Sequence, residues 1–231
     1  MVNKTVILIL CAAFPLVTFQ KANAQRGGFG GGGRSGGPGG MGGRVELVEK
    51  YDKDGNGWLN TDERNAARQS SSNSQASGRS ETSGTSGQKL TPDNVKWYSD
   101  DISLYDISSL RTLFLDFEND YWESELEYFY HTDVEVPAKL TVDGITYKNV
   151  GVRFRGNTSY LFAGTGRKRP LNLRMDFIEK GQNLYGYHTL NLHNSSSDPT
   201  FLRQVLYQKI AREYIPALKA NYIRLVINGE S

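Results

Sequence analysis

In the run YDKDGNGWLNTDE, Tyr51 to Glu63, oxygen-bearing residues recur at the spacing a hard cation needs. Counted from Asp52, Asp54, Asn56, Trp58, Asn60 and Glu63 follow at loop positions 3, 5, 7, 9 and 12, with Gly57 at position 6. Calcium takes about six to eight oxygen ligands, and a loop of this pattern supplies them from one stretch of chain. Asp52, Asp54 and Asn56 offer side-chain oxygens and Trp58 its backbone carbonyl. Asn60 acts through water, and Glu63 closes the site with both carboxylate oxygens. Gly57 permits the positive-φ bend that aims these groups inward.

Asp, Asn and Gly also crowd ordinary surface turns, but a turn does not demand agreement at so many positions together. The pattern is that of an EF-hand. Val45, Leu47, Val48 and Tyr51 offer a short entering helix face, and Thr61 to Gln69 a polar exiting helix. Leu59, at position 8, is the apolar residue that normally faces a partner loop. The chain has no second loop of this kind, and a lone EF-hand binds weakly. Weak sites work outside cells, where calcium is millimolar.

A second set of polar residues suits an anion. GVRFRGNTS, Gly151 to Ser159, puts Arg153 and Arg155 on one face of a strand, because side chains alternate. It then turns through Gly156-Asn157, and Lys168 follows in GRKRP. Arginine forks and a lysine suit phosphate. The competing reading is a solvated strand face with ordinary surface charges.

The compartment follows from the N-terminus. Lys4 precedes the apolar run VILILCAAFPLV, and Ala22 to Ala24 supplies small residues before Gln25. A charged start, a short apolar core and an A-x-A site describe a secretory signal peptide over residues 1–24. The run is too short to cross a bilayer comfortably. The expected location is therefore secreted, periplasmic or cell-surface, with no membrane span after cleavage. Cleavage also removes Cys11, the single cysteine, and with it any disulfide chemistry. The net charge of +2 is spread along the 231 residues with no basic stripe, which argues against nucleic acid.

Two segments have compositions that cannot bury apolar surface. Residues 25–43 are Gly-rich and residues 70–89 Ser/Gly-rich, so the EF-hand over 44–69 reads as an island between disordered tethers. From residue 90 onward the pattern is that of an α+β domain: a mainly antiparallel sheet with two helices. Leu110 to Phe117 reads as a strand and Asn119 to His131 as an amphipathic helix. Two alternating strands flank Asp143-Gly144, a hairpin signal. Pro170 to Phe177, Thr189 to Asn194 and Tyr222 to Ile227 read as further strands. Asp198 as N-cap and Pro199 at N1 start a helix whose face is Phe201, Leu202, Val205, Leu206 and Ile210. The chain stops just after the turn signal Asn228-Gly229 with no return strand, which reads as the front part of a longer protein.

Taken in order, GVRFRGNTS, KRPLNLRMDF, LYGYHTLNLHNSSSDPTFLRQVLYQKIAREYIPA and YIRLVINGE resemble the CotH kinase family, spore-coat CotH-type, protein-kinase-like enzymes. The resemblance runs from about Leu110, includes LRTLFLDFENDYWESEL, and corresponds to the smaller, N-terminal lobe. It implies transfer of phosphate from ATP to protein Ser or Thr, with Mg²⁺ assisting in the full-length protein. It makes Lys168 the candidate phosphate-pairing lysine, with Arg155 and Asn157 in support. The alternative is that the Arg-Gly-Asn turn is structural. The family's catalytic and metal-holding aspartates are expected beyond Ser231, so no catalytic residue is assigned and this part alone is expected to be inactive. The rival function is a secreted, calcium-dependent binding or adhesion module on a non-catalytic kinase-like scaffold. Neither the protein substrate nor a surface partner is legible.

Overall fold

The computed structural model describes residues 44–71, 87–163, 165–195 and 198–231, together with the backbone of 7–12. The tethers read from the sequence lie largely outside these residues, as does the rest of the leader.

Six strands form a mixed, strongly curled sheet, a half-barrel. They are β2 (Arg111–Phe117), β3 (Val136–Val142), β4 (Ile145–Phe154), β5 (Leu171–Arg174), β6 (Thr189–His193) and β7 (Lys219–Ile227), in the order β6-β5-β4-β3-β2-β7. Neighbours are antiparallel except β2 and β7, which run parallel. The sheet is thus mainly antiparallel, as the alternating patterns predict. The parallel pair needs a crossover, which the intervening chain supplies. β1 (Ile7–Ala12), part of the leader run, pairs antiparallel with both β6 and β7 and closes the order into a barrel. Loss of the leader would leave β6 and β7 as the two edges.

Strand alternation sends Leu115, Leu140, Val152, Leu173, Leu190 and Ile223 into one core, each fully buried. The opposite face of β3 to β6 carries a polar ladder. Glu135, just before β3, lies by Arg153 of β4, which donates to Asn172 of β5, which donates to Asn191 of β6.

The β3–β4 hairpin turns through Asp143 (φ 49°) and Gly144 (φ 78°), the tight two-residue turn the sequence predicts. Asp143 does more than turn. Its buried carboxylate pairs with Arg111 Nε at 2.5 Å and accepts from the Tyr185 hydroxyl and the Tyr98 backbone N–H. Arg111 also donates to the carbonyls of Ile102 and Ser103, so one ion pair ties the hairpin to the segment before β2.

There are five α-helices among the described residues: α1 (Val48–Tyr51), α2 (Thr61–Ser71), α3 (Trp122–Tyr128), α4 (Thr158–Leu161) and α5 (Leu202–Ala211). The two expected in the domain are α3 and α5, both shorter than their apolar periodicity. The Asp198 cap is displaced: α5 begins at Leu202, after Phe201 in a left-handed conformation (φ 59°). Asp198 still gathers the entry, accepting from the Thr200 and Arg203 backbone N–H groups and the Thr200 hydroxyl. Nor does the predicted apolar face of α5 all turn inward. Val205 is buried, whereas Leu202, Leu206 and Ile210 are exposed.

Candidate functional site

The candidate calcium loop is organised by its own carboxylates. Asp52 accepts the backbone N–H groups of Gly55 (2.8 Å), Asn56 (3.2 Å) and Gly57 (2.8 Å). Those bonds, Gly57's first, hold its carboxyl below the usual carboxylate range, so it stays ionised. Glu63 accepts from Lys53 N at 2.7 Å and Asn60 N at 2.9 Å. One oxygen from each of Asp52, Asp54 and Glu63 lies within 4.8 Å of the others. Gly57 has φ 86°, the bend its position requires. Asn56 Oδ1 accepts from Trp58 N and Asn60 Oδ1 from Glu63 N, which orient the remaining positions. An all-oxygen donor set on a loop of this shape fits a hard divalent cation.

What the sequence does not reveal is where this loop sits. It reads as an island, yet it shares the core of the sheet. Leu59 and Ala67 are each 1% exposed and belong to the same apolar cluster as Leu115 and Val152. Arg64 of α2 pairs with Glu125 of α3 at 2.8 Å, both side chains 2% exposed, and also donates to the Leu59 carbonyl. Tyr128 donates its hydroxyl to the Ala67 carbonyl, and Trp58 packs edge-on against Phe177, centroids 6.1 Å apart. On the entering side, the Leu47 and Val48 N–H groups donate to Asp133, and Val45 exchanges backbone bonds across His131 and Asp133. The signal for docking was Leu59: a buried-type residue at position 8, with no second loop to meet.

The anion candidates sit at the far end of the hairpin. Arg155 Nη1 lies 2.8 Å from His193 Nε2. Burial, then the adjacent Arg155 charge, push His193 down to about 4, so it is neutral and its ring nitrogen can accept from the guanidinium. Asn157 precedes α4, is exposed, and makes no capping hydrogen bond with its side chain. Lys168 is half-buried, its ammonium 5.0 Å from the centre of the Phe201 ring, and desolvation lowers its pKa.

Two residues that sequence reasoning passed over assemble this region. Buried Asn194 donates to the Ser159 and Lys168 carbonyls, stapling the turn after β4 to the lysine segment. Arg169, next to Lys168, is the buried cation here: it lies against the Tyr160 and Phe154 rings and pairs with Glu127 (3.4 Å) and Glu123 (3.9 Å) of α3. A basic pair before a strand carries no sign of which member turns inward.

With this geometry in hand, a comparison with family models places residues 152–231 in the match of the family described as CotH kinase protein. The match covers less than half of the chain and begins at Val152, later than the resemblance reaching back to Leu110. It takes in Arg155, Asn157, Lys168, Asn194 and α5, and leaves the calcium loop outside. No curated protein matches the chain.

Proposed function

We propose that the chain is an exported, calcium-binding protein of CotH kinase type, whose calcium loop is an integral part of the kinase-like lobe. The family match over residues 152–231 carries the kinase side of this reading. The burial of Leu59 and the Arg64–Glu125 pair support the view that the loop and lobe act as one unit. The expected reaction is transfer of the ATP γ-phosphoryl to a protein Ser or Thr. Phosphoryl transfer relies on positioning and charge neutralisation, and Mg²⁺, if bound, would supply part of that neutralisation. Lys168 then pairs with phosphate, and its partial desolvation strengthens that attraction. Arg155, beside neutral His193, and the exposed Asn157 are the supporting candidates.

Two titrations test this on the full chain. Calorimetry should give calcium binding that is weak, preferred over magnesium, and lost in Glu63→Gln; equal affinity in both forms sinks the calcium assignment. ATP binding by the chain should weaken at least tenfold in Lys168→Ala. Unchanged ATP binding in that variant removes Lys168 from the nucleotide site. Export is checked separately, by sequencing the N-terminus of the secreted form, which should begin at Gln25.

A further inference from the structure

A cavity of about 280 Å³ opens where the start of the calcium-loop segment meets the end of β4. Arg44, Arg153 and Arg155 line it, over a floor that includes Tyr130 and Phe154. No Asp or Glu lines it, and neither Asn157 nor Lys168 does. We propose that this cavity is a binding site for a phosphate monoester dianion, sharing Arg155 with the nucleotide contacts but independent of Lys168.

Charge balance is the first argument. Burial first, and then the like charges of Arg44, Arg174 and Arg155, lower the pKa of Arg153 against the opposing pull of Glu135. Two carboxylates, Glu135 and Asp133, belong to neighbouring segments, and neither lines the cavity. Glu135 is shared between Arg153 (3.6 Å) and Arg174 (3.0 Å). Asp133 accepts the Leu47 and Val48 N–H groups. His193, which faces Arg155, is held neutral and adds no negative charge. Three guanidinium groups, those of Arg44, Arg153 and Arg155, thus line a cavity that no carboxylate lines. A dianion between Arg44, Arg153 and Arg155 relieves this excess, and planar forked donors match phosphate oxygens.

Shape and rigidity are the second. The volume is near the lower end for small-molecule pockets, roughly 300 Å³, which suits a single phosphate group with a small ester rather than a whole nucleotide triphosphate. The walls are fixed before any ligand arrives. Tyr130 stacks on Tyr160 with centroids 3.7 Å apart and donates its hydroxyl to the Gly156 carbonyl. Arg44 is anchored by its Nε bond to the Thr132 carbonyl. Arg44 comes from outside the family match, so the pocket belongs to the union of the two segments.

The test uses the full chain and inorganic phosphate, phosphoserine and ATP as probes, by calorimetry at matched ionic strength. Arg44→Gln and Arg153→Gln are read beside Lys168→Ala, and Arg155 is left intact because both sites use it. Phosphate and phosphoserine should each bind, and each arginine variant should weaken them about tenfold, while Lys168→Ala leaves them unchanged. Tighter phosphoserine than phosphate identifies an ester as the ligand source; the reverse identifies free phosphate. Absence of binding at millimolar phosphate overturns the proposal. So does binding that survives the Arg44→Gln/Arg153→Gln double variant, or that falls only with Lys168→Ala. Arg44 is exposed, so its loss leaves the fold intact and a negative result cannot be blamed on unfolding.

Discussion

Replacing Arg64 with Met should be among the most damaging single changes outside the sheet. The guanidinium and its partner Glu125 are each 2% exposed and 2.8 Å apart, and Arg64 donates further to Leu59 and Thr61. Removing one member leaves a buried carboxylate without its cation, which costs about 3–5 kcal/mol. For a folded unit of roughly 150–250 residues, about 2–4 °C of Tm goes with each kcal/mol, so Tm should fall by about 6–20 °C. Docking free energy caps the loss, because peeling α2 away lets water reach Glu125. In that event Trp58 leaves Phe177 and its emission shifts to the red. Replacing both partners, Arg64→Met with Glu125→Met, should recover most of the stability, since an apolar pair of similar volume is often neutral. Thermal melts with fluorescence on the single and double variants measure all of this. A single variant within about 1 kcal/mol of the parent, or a double variant no better than the single, would refute the buried pair as the clamp between loop and lobe.

Other expectations follow from the same geometry. His193 titrates at about 4 folded against 6.5 ordinarily, so the unfolded chain takes up the proton first as pH falls. Stability should therefore decline between these values, by about 1–2 kcal/mol after allowing for solvent contact; Tm against pH should be flatter in His193→Gln, and equal slopes would count against it. Asp143→Asn keeps a residue that tolerates φ 49° but strips Arg111 of its countercharge, and should cost about 3–5 kcal/mol in urea unfolding; a loss under about 1 kcal/mol would show the pair to be solvated. At Gly151 an added methyl would come within 2.5 Å of Glu135 Oε2 and 2.7 Å of Phe177 Cγ. Gly151→Ala should cost about 1–3 kcal/mol and disturb Trp58 emission through Phe177; an unchanged spectrum would separate that ring from the docking contact.

Short-range signals were legible and long-range ones were not. Alternation and the Asp143-Gly144 turn gave the β3–β4 hairpin, because strand period and turn conformation are local properties. The loop positions from Asp52 to Glu63 were readable for the same reason. The partners of Arg64 and Asp143 were not, since each ion pair joins residues far apart in sequence and nothing local marks which charge is buried. α5 shows the opposite failure: its periodicity is real, but amphipathicity states that a face is apolar and not what covers it. At the anion site, Lys168 and Arg155 were legible as charges. Which neighbour went inward, Arg169, and which residue tied the segments together, Asn194, depended on packing.

The burial of Leu59 also bears on how the protein would respond to calcium. In paired EF-hands the residue at this position lies against its counterpart, and one site's occupancy aids the other. Here that contact is spent on the lobe, and among the described residues no second loop is available to share it. A solitary site fills in proportion to its ligand, with a Hill coefficient of one, and positive cooperativity requires at least two coupled sites. If calcium fills this loop, occupancy would change over a broad range of concentration and not at a threshold. Its sensitivity would then be set by how firmly α2 grips α3, so that variation at an interface remote from the ion would retune the concentration to which it answers.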